Sequence, residues 1–206
     1  MTITRIILLT GKAEGPALSS ELLHHNNALD VLIAHDSADL SQAAEKIDKG
    51  TRLLSFCTSV IVPRNILEAL PGPAYNFHHG PPERPGRYPS VFALYDGASQ
   101  FGFTVHEMAP AVDSGPIVSA EWFDIPGACD LIELESRTLI HLVNAFRRLA
   151  PYMARFSPPL LHEKIQWQGR KTVKADCDTL CRITSDMDAN EIKRRQRACG
   201  THFSQS

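Results

Sequence analysis

No stretch of this 206-residue chain approaches the roughly 20 consecutive apolar residues that a helix needs to cross a bilayer, so no membrane partnership is expected. An excess of one charge is missing as well. Lys and Arg number 21 against 23 Asp and Glu, interspersed, for a formal net charge of -2. Such a chain lacks the long-range field that gathers phosphate backbones, and no bulk nucleic-acid partner is expected. Cysteine is scarce and odd in number, five in all, as in chains kept reduced. The apolar run in MTITRIILLT is too short for a signal-peptide core and has no small-residue cleavage site, so a cytoplasmic location is expected. The Gly11–Gly15 stretch (GKAEG) matches neither the dinucleotide fingerprint nor the P-loop, which argues against a nicotinamide or ATP site. Internal repeats and low-complexity linkers are also wanting.

What is present reads as one α/β domain with a tail. Residues 4–9 and 28–36 are apolar runs of buried-strand type, separated by a helix over 17–25. Asp39 and Gln42 predict a capping-box start for a helix over 40–49. A run at 52–56, a Pro63-started helix over 64–70 and a strand at 74–78 follow. That alternation predicts a doubly wound, mostly parallel sheet, with ligands beyond the carboxyl ends of the strands. Residues 79–90 hold four Pro and two Gly and form a loop of constrained path. Next come a helix at 90–97, strands at 102–108 and from Pro116 to about Pro126, and a long helix at 131–154 capped by Asp130 and Glu133. We divide the chain into a domain at 1–157 and a C-terminal extension at 158–206. The extension is expected to hold a hairpin turning at Gly169 and a helix opened by Asp188 and Glu191.

Asn76 and His78 fall where a central strand ends, and a spacing of two points both side chains to one face. Asp113 lies in the loop Ala-Val-Asp-Ser-Gly-Pro. An amide, an imidazole and a carboxylate suit acyl transfer. Residue types leave a plainer alternative open, with Asn76 ending the strand, His78 a satisfied buried ring and Asp113 a turn residue before Gly115.

The motifs narrow this. NFHHGPPERPG, then FALYDG, FGFTVHEM and VDSGPIV, in that order and spacing, resemble the 10-formyltetrahydrofolate-dependent formyltransferases, from about Leu53 to Pro126. That family includes the methionyl-tRNA, glycinamide ribonucleotide and sugar N-formyltransferases. The resemblance implies a Rossmann-type formyltransferase fold, 10-formyltetrahydrofolate as co-substrate and Asn76, His78 and Asp113 as catalytic residues. Asn76 would donate to the oxyanion, His78 would polarise the formyl group and handle protons, and Asp113 would orient His78 or take the amine proton. Phe56, Cys57, Thr58, Ser59, Val60, Ile61 and Val62, with Ala109 and Val112, are implied to contact folate.

The GPPERPG loop and the ending EIKRRQRACG resemble the sugar N-formyltransferases, which makes an amino sugar on a nucleotide the expected small-molecule acceptor. His79, Arg84, Tyr88 and Tyr95 are its candidate contacts. A hydroxyornithine acceptor, a formyltetrahydrofolate hydrolase and a non-catalytic folate-binding module are the alternatives. Oligomeric state stays open, a homodimer among the options. Cys177, Cys181, Cys199 and His202 supply four metal-ligand types at loose spacing, so isolated thiols are expected there rather than a metal. The cluster Lys193, Arg194, Arg195 and Arg197 is expected to be a solvated helix face, and His106 a surface or strand-end histidine.

Overall fold

A computed structural model describes residues 2–202, 204 and 205, with the backbone alone at 201, 204 and 205. Six strands, β1 (Arg5–Thr10), β2 (Asp30–Ala34), β3 (Thr51–Phe56), β4 (Tyr75–His78), β5 (Gln100–Glu107) and β6 (Ile117–Asp124), form one sheet in the order β2-β1-β3-β4-β5-β6. The pairs β1–β2, β1–β3 and β3–β4 are parallel. β5 and β6 run oppositely, since Glu107 N–H donates to Pro116 O while Ile125 N–H donates to Ser99 O. The fold is thus α/β with a mostly parallel sheet, as expected.

The chain divides into two compact units. One comprises the segment through His78, Val105–Ser119 and Leu142–Lys164. Its strands are apolar on both faces because helices cover both. On one face Ile7, Leu9 and Leu53 cluster with Leu40 and Ala43 of α2 (Ser37–Ala44) and Ile66 of α3 (Arg64–Ala69). Side chains one residue along point the other way. There Phe56 and Phe77 meet Phe146 of α5 (Leu131–Met153), at ring separations of 5.9 and 5.2 Å. The helix α1 (Gly15–His25) opens with Pro16, whose missing N–H is one that a first turn leaves unbonded anyway.

α2 starts earlier than expected. Its N-cap is Asp36, whose carboxylate accepts from the N–H groups of Ala38 and Asp39, while Asp39 accepts from His35 N–H. An Asp-x-x-Asp pair therefore forms the cap, and Gln42 lies inside the helix. Arg52 is buried among backbone carbonyls. It donates to Met153 O and Ser157 O at 3.0 and 3.1 Å, at the end of α5 where the helix dipole favours a cation. Burial pulls its pKa below the usual guanidinium value.

The second unit comprises His79–Thr104, Ala120–His141 and the chain from Ile165 onward. Its core gathers Val91 and Leu94 of α4 (Pro89–Asp96), Phe101, Leu131 and Leu134 with Cys177, Cys181, Ala198 and Cys199. The expected hairpin through Gly169 does not form. The strand-like segment pairs instead with the proline loop, through Gln168 N–H to Pro82 O, Thr172 N–H to Pro85 O and Arg87 N–H to Thr172 O. Prolines donate nothing, but their carbonyls accept. Gly169 has φ +68°, and a Cβ there would lie 2.3 Å from Glu83 O, so close approach to this loop is what demands glycine.

Two helices end the chain, α6 (Lys174–Leu180) and α7 (Ala189–Cys199), the latter capped by Asp188 as predicted. Cys181 and Cys199 are joined by a disulfide, which corrects the expectation of isolated thiols and removes two of the four residues weighed as metal ligands. Cysteine number consequently carries no argument about compartment. The basic cluster is also not a purely solvated face. Arg194 lies 3.9 Å over the Tyr95 ring, Arg195 pairs with Glu191, and Arg197 donates to Cys129 O. Among the described residues no helix is long and apolar enough to cross a membrane.

Two outcomes follow from this packing. Phe146→Ala should cost about 3–5 kcal/mol, read as a lowered denaturation midpoint with the folded circular-dichroism spectrum kept. Burial pushes the Cys177 thiol up to about 11. At about pH 8 it should therefore resist iodoacetamide in the folded protein and react after unfolding in urea, as peptide mass spectrometry would show.

Candidate active site

β4 is four residues long, and its two faces have different tasks. Tyr75 and Phe77 turn into the core, where Phe77 meets Phe146 and the Tyr75 hydroxyl accepts from Leu160 N–H at 2.8 Å. Alternation then turns Asn76 and His78 to the other face. A bond from Met108 N–H to Ala74 O sets the neighbouring β5 in a register that brings His106 opposite Asn76. Asn76 Nδ2 lies 3.1 Å from His106 Nε2.

The fourth group arrives on a loop. Asp113 has φ +47°, a left-handed conformation that costs a non-glycine residue about 1 kcal/mol and that Asp tolerates better than most. Its surroundings enforce it. Ser114 Oγ donates to Ala111 O, Glu107 N–H donates to Pro116 O, and a Cβ on Gly115 would stand 2.0 Å from Glu107 O. Glycine at 115 is what lets the loop fold back on the end of β5.

The turn delivers a carboxylate between two imidazoles. Asp113 Oδ2 is 3.6 Å from His78 Nδ1, and Oδ1 is 3.3 Å from His106 Nε2. The residues Asp113, His78 and His106 are 6, 5 and 2 % exposed. Both carboxylate distances exceed an ordinary hydrogen bond, a looseness common in catalytic groups before substrate is held. Asn76 and His78 on one strand and Asp113 from a distant loop are thus brought together. His106 was missed as a member of the group. Its signal lay in FTVHEM, a histidine near a strand end seven positions before Asp113, but the antiparallel register that aims it is a tertiary fact.

The implied folate-contact residues divide. Phe56 is wholly buried, its ring against Phe77 and Phe146. Cys57 begins the loop beside the end of β4, with φ +47° and its N–H donated to Phe77 O. Thr58 Oγ1 accepts from Val60 N–H, while Val60 and Val62 pack against the core and Ser59 is exposed. Ala109 is half-buried. Ile61 and Val112 are the apolar side chains left outward, 63 and 41 % exposed, one on each loop. Of the acceptor candidates, Arg84 pairs with Asp96, the Tyr95 hydroxyl donates to Glu191, and Tyr88 precedes α4 in a left-handed conformation with its ring 5.0 Å from that of His202. These residues and the half-buried His79 belong to the second unit.

No family model matches the chain. A methionyl-tRNA formyltransferase of Bifidobacterium longum is 28 % identical over 147 residues, covering 69 % of this chain but 43 % of that protein. The chain thus spans less than half the length of that relative. A dTDP-4-amino-4,6-dideoxyglucose formyltransferase of Mycobacterium bovis is 26 % identical over 202 residues, covering 90 % of this chain and 80 % of its own length. Among solved structures, the N-formyltransferase from Helicobacter canadensis, determined with folinic acid and dTDP-3-aminofucose, superposes with a TM-score of 0.72 at 15 % identity, over 99 % of this chain and 84 % of that one. Ordered motifs and curated relatives agree in likening the chain to formyltransferases, and it shares the fold of solved N-formyltransferases.

Proposed function

We propose that the chain transfers a formyl group from 10-formyltetrahydrofolate to the amine of a small molecule, an amino sugar carried on a nucleotide. The observation that carries this reading is the convergence of one amide, two imidazoles and one carboxylate on a buried point at the ends of β4 and β5. The outward Ile61 and Val112 fit the apolar faces of a folate ring system next to that point.

The reaction needs a bond from the amine nitrogen to the formyl carbon, a transient negative oxygen, and departure of the folate nitrogen with a proton. Asn76 supplies an amide hydrogen to the oxygen, the term that dominates in acyl transfer. Asp113 accepts the proton that the amine nitrogen loses on attack. His78, whose Nδ1 faces Asp113, hands a proton to the departing nitrogen and is recharged from the carboxyl, so the proton count closes. No covalent enzyme intermediate is required, since positioning supplies much of the gain.

The choice of acceptor is supported by coverage. The dTDP-amino-sugar enzyme is matched over most of its length, whereas the transfer-RNA enzyme is matched over less than half. The near-neutral charge also lacks the field that a long nucleic acid requires. The test is a panel of amines, dTDP-amino sugars included, incubated with 10-formyltetrahydrofolate while tetrahydrofolate release is followed. Asp113→Asn should lower kcat by roughly a hundredfold or more, the range of a lost general base, with folate affinity by calorimetry unchanged. A fully active Asp113→Asn would remove the proton-accepting role, and formate release without any amine would turn the reading toward hydrolysis.

A further inference from the structure

The two ends of an asparagine amide are nearly alike in shape and opposite in chemistry. An oxyanion donor works with the NH2 end alone. Something must therefore choose the orientation of Asn76, and the surroundings of its amide point to one residue.

We propose that His106 is a positioning residue, a neutral imidazole protonated at Nδ1 whose Nε2 lone pair takes one amide hydrogen of Asn76 and holds the NH2 end toward Asp113 and His78. This rests on the formyl-transfer reading of the same site. The assignment follows from what each neighbour can do. His106 Nδ1 lies 2.8 Å from the Glu107 carbonyl, which only accepts, so Nδ1 carries a hydrogen. Nε2 lies 3.1 Å from Asn76 Nδ2, which only donates, so Nε2 presents its lone pair. With one amide hydrogen committed to Nε2, the second is directed about 120° away, free to meet the oxygen of a formyl group.

The alternative state has the opposite consequence. Asp113 Oδ1 stands 3.3 Å from the same Nε2. An imidazolium at 106 would donate to that carboxylate and would repel the NH2 group, so the amide would turn and present its oxygen to the reacting centre. A developing oxyanion would then meet an oxygen rather than a hydrogen. Among the groups facing the ring are Asn76, the Glu107 carbonyl and Asp113, with His78 beyond the carboxylate, and the Glu107 carboxylate is held by His162 at 2.9 Å. His106 is 2 % exposed, so solvent does not blur the choice.

Two measurements test this, and the first needs no substrate. Long-range proton–nitrogen correlation spectra of the ¹⁵N-labelled protein at about pH 8, assigned by comparison with His106→Gln, should show a protonated Nδ1 and an unprotonated Nε2 at His106. An imidazolium, or a hydrogen on Nε2, would overturn the proposal whether or not the chain transfers formyl groups. The second is a kinetic cycle. His106→Leu should lower kcat about a hundredfold, the range of one lost oxyanion donor, with KM for the formyl donor changed less than about twofold. His106→Gln, which keeps an acceptor oxygen, should recover at least a tenth of the wild-type kcat. In an Asn76→Ala background His106→Leu should cost almost nothing more, because the amide it orients is gone. Additive losses would overturn the positioning role, as would a His106→Gln no better than His106→Leu. A wild type with the expected tautomer and no formyl transfer would instead fault the reading of the reaction.

Discussion

The arrangement turns on one buried carboxylate. Asp113 is withdrawn from water between the His78 and His106 rings, and a carboxylate so placed is costly unless a neighbour answers it, a task that falls to His78 Nδ1 when His106 Nε2 holds the Asn76 amide. Both the backbone and the sequence around it serve that placement. The left-handed turn at 113 aims the side chain inward, and Gly115 lets the chain pass against Glu107 O where any Cβ would collide. A strained backbone conformation persists where the surrounding structure over-determines it.

The sheet contributes precision of a different kind. A strand presents alternate residues to opposite faces, so four residues of β4 suffice to anchor the site and to display it. Phe77 locks the strand into the Phe56–Phe146 cluster, and Tyr75 ties it to Leu160 N–H. With those residues fixed, Asn76 and His78 have little freedom of position. Preorganisation of this sort is what makes a donor effective toward charge that appears only during reaction.

The second unit shows how a proline-rich loop becomes ordered. Residues 79–88 include three prolines, which donate nothing, and the carbonyls of Pro82 and Pro85 are satisfied by N–H groups of the segment that follows Ile165. Its continuation docks through Arg194 stacked on Tyr95 and is closed on itself by the Cys181–Cys199 bond, a loop for which the entropy model gives a stabilisation of about 3 kcal/mol. Residues that looked available for ligands, Arg84 and Tyr95, thereby have partners within their own unit.

How much of this was legible depends on the range of the interaction involved. Apolar runs, helical periodicity and the caps at Asp130 and Asp188 are local, so the alternation of strands and helices and the mostly parallel sheet could be read directly. The spacing of Asn76 and His78 is also local, and the ordered motifs tied Asp113 to them. The absent hairpin at Gly169, the disulfide and the buried His106 could not be read in the same way. Each depends on which distant group reaches a given atom first: Pro82 O for Gln168 N–H, Cys199 for Cys181, Asn76 for His106. The chain by itself determined its elements and the chemistry it carries. Tertiary packing decided which polar atoms meet, because hydrogen-bond partners far apart in sequence are selected by distance and direction, and periodicity encodes neither.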